Sequence, residues 1–302
     1  MKFVNTPEDR FDNLPGYNFE PHYVNISHDM RVHYVDEGPR DAKETVLLMH
    51  GEPSWSFLYR TMITPLVAAG YRCIAPDLIG FGKSSKPIQQ SDYSYANHIS
   101  WMQEFMDQLD VKDITLFCQD WGGLIGLRLV ANDPDRFARI AVSNTFLPTG
   151  DHKPSEAFLK WQAFCKKVDK FPTEFVMQGA THTELPADVL RAYSAPFPNE
   201  DYTAGAKIFP ALVPTTPDNP ESENNRQAWK NVFSQWTKPL VTLFGDNDPV
   251  TKGGDAIFKK LVPGAKGQAH ATIEGGGHFI QEDQGPLLAK HIISFINANT
   301  QV

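Results

Sequence analysis

Seven residues, Phe117-Cys118-Gln119-Asp120-Trp121-Gly122-Gly123, hold the most chemistry in this chain. They end an apolar run and open a helical one, so Asp120 falls on the turn between a strand and a helix. Such a turn needs small residues around its apex, because the two backbones nearly touch. Cys118, Gly122 and Gly123 supply them, and Asp120 becomes a candidate nucleophile. An aspartate there is also an ordinary helix N-cap, and the stretch alone allows both readings.

Partners follow in order along the chain. "LFGDNDPVT" offers Asp248, with Asp246 as the second choice, as an acid at the end of a strand. "EGGGHFIQED" offers His278 on a glycine-rich loop after the last strand, as a general base. Of the ten histidines, His98, His152, His182 and His291 fall in helical or inserted segments and are set aside. Nucleophile, acid and histidine arrive in the order expected of a strand-to-helix nucleophile turn. "MHGEPSW" adds an oxyanion pair from the backbone N–H groups of Glu52 and Trp121. The same letters also read as a plain strand-to-helix turn with Ser54 capping the helix.

A carboxylate with a pKa of about 4 is already an anion at neutral pH and needs no base to attack. Its productive targets are sp³ carbons with a leaving group, and the product is an alkyl ester on the enzyme. Histidine then serves only in the second step, activating water against the ester carbonyl. Two substrate classes fit. An epoxide leaves as an alkoxide and needs O–H donors, for which Tyr193 and Tyr202 are candidates. A halide leaves as a soft anion, suited by indole N–H donors in an apolar pocket. Trp121 stands beside the nucleophile, and Trp161 in "EAFLKWQAF" is the expected second donor. Trp229 and Trp236 are lesser rivals, Trp101 reads as core, and Trp55 is unassigned.

These groups must be carried by a regular frame. Short β-branched runs alternate with helical patterns, which predicts a mostly parallel sheet flanked by helices. Buried strands are expected at Thr45–His50, Arg72–Asp77, Ile114–Asp120, Arg139–Asn144, Pro239–Asp246 and His270–His278. "RVHYVDEG" from Arg31 reads as a half-exposed early strand, and Leu288, Ile292, Phe295 and Ile296 mark a closing amphipathic helix. Residues 146–236 show no buried strand and are rich in Phe, Trp and Pro. A gap that long is better read as a helical cap inserted into a main domain of residues 1–145 and 237–302. The cap's Phe158, Phe164, Phe171 and Phe175 suggest a compact apolar pocket.

The 302 residues are 41% hydrophobic and 21% charged, ordinary for a chain with a sizeable core. A net charge of −8 argues against nucleic acid or anionic membrane as a partner. Three cysteines show no metal-ligand spacing or disulfide framework, and no signal peptide or membrane span of about 20 apolar residues is visible. A cytoplasmic monomer without metal is the expectation.

"TPEDRFDNLPGYNF", "VHYVDEGP", "HGEPSWSFLYR", "APDLIGFGKSSKP", "QDWGG" and "GGGHFIQED" together give the chain an end-to-end likeness. It resembles the haloalkane dehalogenases of the α/β-hydrolase superfamily, in the subfamily with a halide-binding tryptophan in the cap. The resemblance implies an α/β-hydrolase fold with Asp120 as nucleophile, His278 as base and Asp248 as acid. It implies Trp121 and Trp161 as halide donors, and Glu52 as the residue that positions water and offers its N–H. It implies no cofactor, and partners limited to a small haloalkane, water and halide. Three rivals are weighed against it: an epoxide hydrolase with the same Asp–His–Asp machinery, an ester hydrolase using "GKSS" at Ser84, and a catalytically silent binding protein.

Overall fold

A computed structural model describes residues 1–300. The first half of the chain runs β1 (Phe3–Val4), β2 (His22–Asn25), β3 (Arg31–Glu37), β4 (Thr45–Met49), α1 (Arg60–Ala68), β5 (Arg72–Pro76) and β6 (Lys86–Pro87). It continues through α2 (Tyr95–Leu109), β7 (Ile114–Gln119), α3 (Trp121–Asn132) and β8 (Phe137–Ser143). Five helices without a strand follow: α4 (Glu156–Lys167), α5 (Thr173–Ala180), α6 (Ala187–Ser194), α7 (Ala204–Leu212) and α8 (Pro220–Asn231). The chain closes with β9 (Leu240–Gly245), α9 (Asp255–Leu261), β10 (Ala271–Ile273) and α10 (Ile280–Asn299).

Eight strands form one sheet in the order β10-β9-β8-β7-β4-β5-β3-β2. β3 pairs antiparallel with β2 and β5, and the remaining neighbours are parallel. The two-residue strands β1 and β6 pair separately. Central strands read as continuous apolar runs because both faces are covered. Their alternation feeds two cores. Leu47, Met49, Ile74, Ile114, Leu116 and Ile140 pack on the side of α2 and α3, while Val46, Leu48, Cys73, Phe117, Val241 and Leu243 pack on the side of α1 and α10.

β3 departs from the half-exposed strand expected: all but its two ends are buried. Its polar residues are paired inside rather than solvated. His33 Nδ1 lies 2.7 Å from Asp77, and Arg72 donates twice to Asp36 at 2.8 Å. Burial would raise the Asp77 carboxyl, but His33, His50 and the Lys83 N–H bring it down to about 2. The same loop consumes Ser84, which is fully buried, donates to Asp77 O at 2.7 Å and accepts from the His33 N–H at 2.8 Å. No helix among the described residues is long and apolar enough to cross a membrane.

Candidate active site

Asp120 closes β7 at φ 50°, ψ −127°, a conformation that costs a non-glycine residue free energy and persists only under restraint. The restraint is visible. Its N–H donates to Asn144 O at 3.0 Å and its carbonyl accepts from Thr145 Oγ1 at 2.7 Å. A Cβ on Gly122 would collide with the Met49 carbonyl, and one on Gly51 with the Asp120 side chain, so both neighbours must be glycine. The Asp120 carboxylate makes no capping bond to α3, which removes the N-cap reading. Instead Oδ1 accepts the Glu52 N–H at 2.8 Å, and Oδ2 lies 3.5 Å from His278 Nε2.

On the other side of the imidazole, Nδ1 is 3.0 Å from Asp248 Oδ2. Asp248 also accepts from the Val250 N–H at 2.8 Å and from the Thr251 hydroxyl. Burial would raise its pKa, but His278 and these donors hold it below the ordinary carboxylate value. Asp246 is exposed, and its side chain meets only that of Asn247. Asp120, His278 and Asp248 are therefore in line, and the second-choice acid is outside. Burial opposes a charge on His278, yet the Asp248 and Asp120 carboxylates lift its pKa to about 10.

The Glu52 turn is fixed from below by His50. The Leu78 N–H donates to His50 Nε2 at 2.9 Å, so the ring proton sits on Nδ1, which donates to Gly51 O at 2.9 Å. Burial lowers the pKa of this imidazole, keeping it neutral. Ser54 caps no helix, contrary to expectation. Its hydroxyl donates to Gly51 O at 2.8 Å and tightens the turn, leaving α1 to start six residues later, at Arg60. Burial and the Asp120 charge push the Glu52 carboxyl well above its ordinary pKa, and its Oε1 has no protein partner.

Asp120, His278, Glu52, Trp121 and Trp161 share one cavity of about 1280 Å³ over the carboxyl ends of the strands. This is not the compact pocket expected. Phe158 and Phe164 do line it, but Phe171 is buried against Trp161, and Phe175 is 72% exposed at its rim. The cavity is lined by α4 through Phe158, Trp161 and Phe164 and by α5 through Phe175, Val176 and Gly179, and it opens to the surface as a slot between the exposed Phe164 and Phe175. The Trp121 indole is braced by Phe209 at 4.5 Å and Tyr95 at 5.3 Å between ring centres. Trp161 lies against the Glu52 carboxyl and stacks on Phe164.

The other tryptophans are engaged elsewhere. Trp229 lines the cavity but donates its N–H to Leu147 O at 2.9 Å, and Trp55 donates to Ala192 O at 3.2 Å. Trp101 is core, as expected, and Trp236 is buried outside the cavity. No tyrosine is among the described lining residues. Tyr193 is fully buried and donates to Glu282 instead.

Two residues of the site escape sequence reading. Asn144 donates to Gly277 O at 2.8 Å and His278 O at 3.2 Å while accepting the Gly245 N–H at 2.9 Å. It staples three strand ends together. Gln119 donates to His278 O at 3.1 Å and stands 3.3 Å from Nε2. Each sits at or just after the C-terminal end of a central strand, the one signal that could have flagged them.

The geometry suits displacement at a saturated carbon, and comparison with known proteins bears on which kind. The alpha/beta hydrolase fold model matches residues 44–284. A haloalkane dehalogenase of Psychrobacter cryohalolentis is 59% identical, over 99% of each chain, and one of Mycolicibacterium paratuberculosis is 47% identical over the same shares. A solved haloalkane dehalogenase of Paraglaciecola agarilytica, described as tetrameric, superposes with a TM-score of 0.92 at 34% identity, covering 100% of both chains. Likeness of this extent along the whole chain goes beyond a shared fold, which by itself hosts many chemistries. The chain belongs to the haloalkane dehalogenases, enzymes of the α/β-hydrolase fold that hydrolyse carbon–halogen bonds.

Proposed function

We propose that Asp120 displaces halide from a small haloalkane and that His278 then drives hydrolysis of the resulting ester. Oδ2 of Asp120 attacks the carbon from behind; the C–O bond forms as the carbon–halogen bond breaks, and the halide leaves with the bonding pair. The indole N–H groups of Trp121 and Trp161 receive that anion. In the second step His278 Nε2 takes a proton from water as the water oxygen adds to the Asp120 carboxyl carbon. The oxyanion is held by the N–H groups of Glu52 and Trp121. Collapse expels the alkoxide, which takes the proton from His278, and the regenerated aspartic acid ionises. The sum is alcohol, halide and one proton.

Electrostatics supports a division of labour between the two steps. Two carboxylates hold His278 protonated while Asp120 is free. Esterification removes one of those charges, so the imidazole loses its proton and becomes a base only when an ester is present to hydrolyse. Glu52, which lines the cavity and offers its N–H to Asp120 while burial and the Asp120 charge raise its pKa well above the ordinary carboxylate value, is suited to orient the water. We also read residues 146–236 as a cap over a main domain of residues 1–145 and 237–302, because side chains from α4, α5, α7 and α8 roof the cavity.

The observation that carries this reading is the carboxylate on the strained turn, held by the Glu52 N–H and aligned with His278 and Asp248. The epoxide alternative needs acidic O–H donors, and the tyrosines expected to supply them do not line the cavity. A panel of bromo- and chloroalkanes, assayed for halide and acid, tests the reaction; diol from an epoxide without halide from any bromide would overturn it. His278→Gln should trap the alkyl ester on Asp120, visible by intact-protein mass spectrometry. We place the enzyme in the cytoplasm, consistent with three buried free cysteines. The solved tetrameric relative makes light scattering the check on the expected monomer.

A further inference from the structure

Asp283 lies five residues after His278 and does not line the cavity. Its carboxylate nevertheless gathers three backbone N–H groups from two parts of the molecule. Oδ2 accepts from Gly277 at 2.8 Å, Oδ1 accepts from Thr183 at 2.7 Å, and the His182 N–H is shared between the two oxygens at 3.0 and 3.1 Å. Gly277 immediately precedes His278, while His182 and Thr183 follow the end of α5. On the far side of the histidine, the Phe279 N–H donates to Ala180 O, the last residue of α5, at 3.2 Å. The two segments approach so closely that a Cβ on Gly277 would sit 2.8 Å from Ala180 O and 2.9 Å from the His182 nitrogen.

The loop Gly275-Gly276-Gly277 has no side chains of its own to fix it, and glycine loses the most freedom on ordering. Its constraints therefore come from outside, and they divide by direction. Asn144 and Gln119 hold the carbonyls of residues 277 and 278 from the sheet side. Asp283 and Ala180 hold the N–H groups of residues 277 and 279 against α5. The same α5 forms one wall of the slot into the cavity, through Phe175, Val176 and Gly179.

We propose that Asp283 is a positioning residue that locks the catalytic histidine loop to the end of α5, so that His278 is set for ester hydrolysis only while that wall is seated. This rests on His278 acting as the base of the second step. Asp283 touches no substrate; it acts through the Gly277 peptide. Losing it frees the imidazole to drift, and misplacement by about 1 Å can cost on the order of a hundredfold in rate. Halide displacement, which does not use the base, is left intact.

Rapid-quench kinetics with 1-bromobutane separates the steps. In Asp283→Ala the burst of bromide should keep its rate within about twofold, while steady-state turnover falls by about tenfold or more. The butyl ester should accumulate by mass spectrometry, and Asp283→Glu should recover part of the loss. Asp283→Asn, which keeps the size and one acceptor, should show the same split more weakly, with faster hydrogen exchange at the Gly277 and His182 amides. Equal slowing of burst and turnover, or wild-type turnover with no ester, overturns the coupling. His278→Gln run in parallel separates the two ideas. Ester in that variant but none in Asp283→Ala sinks the coupling alone; ester in neither sinks the catalytic reading and the coupling with it.

Discussion

His278 is the residue whose charge state reports on the whole site. Burial disfavours its cation, and the two flanking carboxylates outweigh burial and raise its pKa to about 10. Removing one of those charges must lower it. In Asp120→Asn the imidazole should therefore titrate below its wild-type value, read from the ¹⁵N shifts of a ring-labelled protein; an unchanged titration would mean that Asp120 does not face the ring. The same linkage has a sign for stability. The stabilisation from this raised pKa is complete below the unfolded value of 6.5 and is lost as pH rises through about 10. Asp248, whose pKa is lowered, contributes in the opposite sense: its share is present above the ordinary 3.8 and fades as pH falls below it.

The tryptophans give a second test at this scale. Trp161→Phe keeps an aromatic body but loses the N–H. A hydrogen bond to a charged group contributes about 1.5–3 kcal/mol, so halide affinity should fall by about ten- to a hundredfold. Trp229→Phe should leave halide affinity nearly unchanged, because its N–H already serves Leu147 O, and should instead destabilise the fold by about 1–3 kcal/mol. Bromide titration followed by tryptophan fluorescence decides between them. A reversal of the two outcomes would move the second donor to Trp229.

At the scale of elements, the central strands were legible as short, mostly apolar runs, and the turn at Asp120 by the small residues around it. The order of Asp120, Asp248 and His278 was legible because each follows a strand end. β3 departs from its sequence signal because polar residues mark a solvated strand only when they meet water, whereas His33 and Asp36 pair with other side chains of the protein. Asn144 and Gln119 were missed because their partners come from distant strands that local sequence does not display. The slot between α4 and α5 depends on how two helices stand relative to one another, again invisible locally. Gly179 illustrates the consequence. It lies inside α5 with ordinary helical backbone, and a Cβ there would meet nothing within 4 Å, so neither packing nor backbone requires glycine. Gly179→Ala should therefore stabilise the fold by up to about 1 kcal/mol, less so near a helix end. Gly179→Leu should narrow the slot, lowering kcat/KM for branched bromides more than for 1-bromobutane; equal effects on both would remove Gly179 from the rim.

Across the whole molecule, a buried ionic cluster joins α6 to α1 and α10. Arg60 of α1 donates to Glu282 of α10 at 2.5 and 2.9 Å, and Tyr193 of α6 donates its hydroxyl to the same carboxylate. Both charged side chains are less than 10% exposed, so each depends on the other for solvation lost on folding. The cluster stands apart from the cavity, which makes stability and turnover separable. Glu282→Ala would strand the Arg60 charge and should cost about 3–5 kcal/mol. Tyr193→Phe is the gentler probe. It removes one hydrogen bond to a charged group, about 1.5–3 kcal/mol, and leaves the ring packed on Phe57. Its melting temperature should drop while bromide release from 1-bromobutane stays within about twofold of wild type, since a hydrogen bond remote from the reacting atoms offers no selective stabilisation of the transition state. The opposite result, full stability with turnover reduced tenfold or more, would bring the Tyr193 hydroxyl into the chemistry and revive an O–H-assisted opening of epoxides.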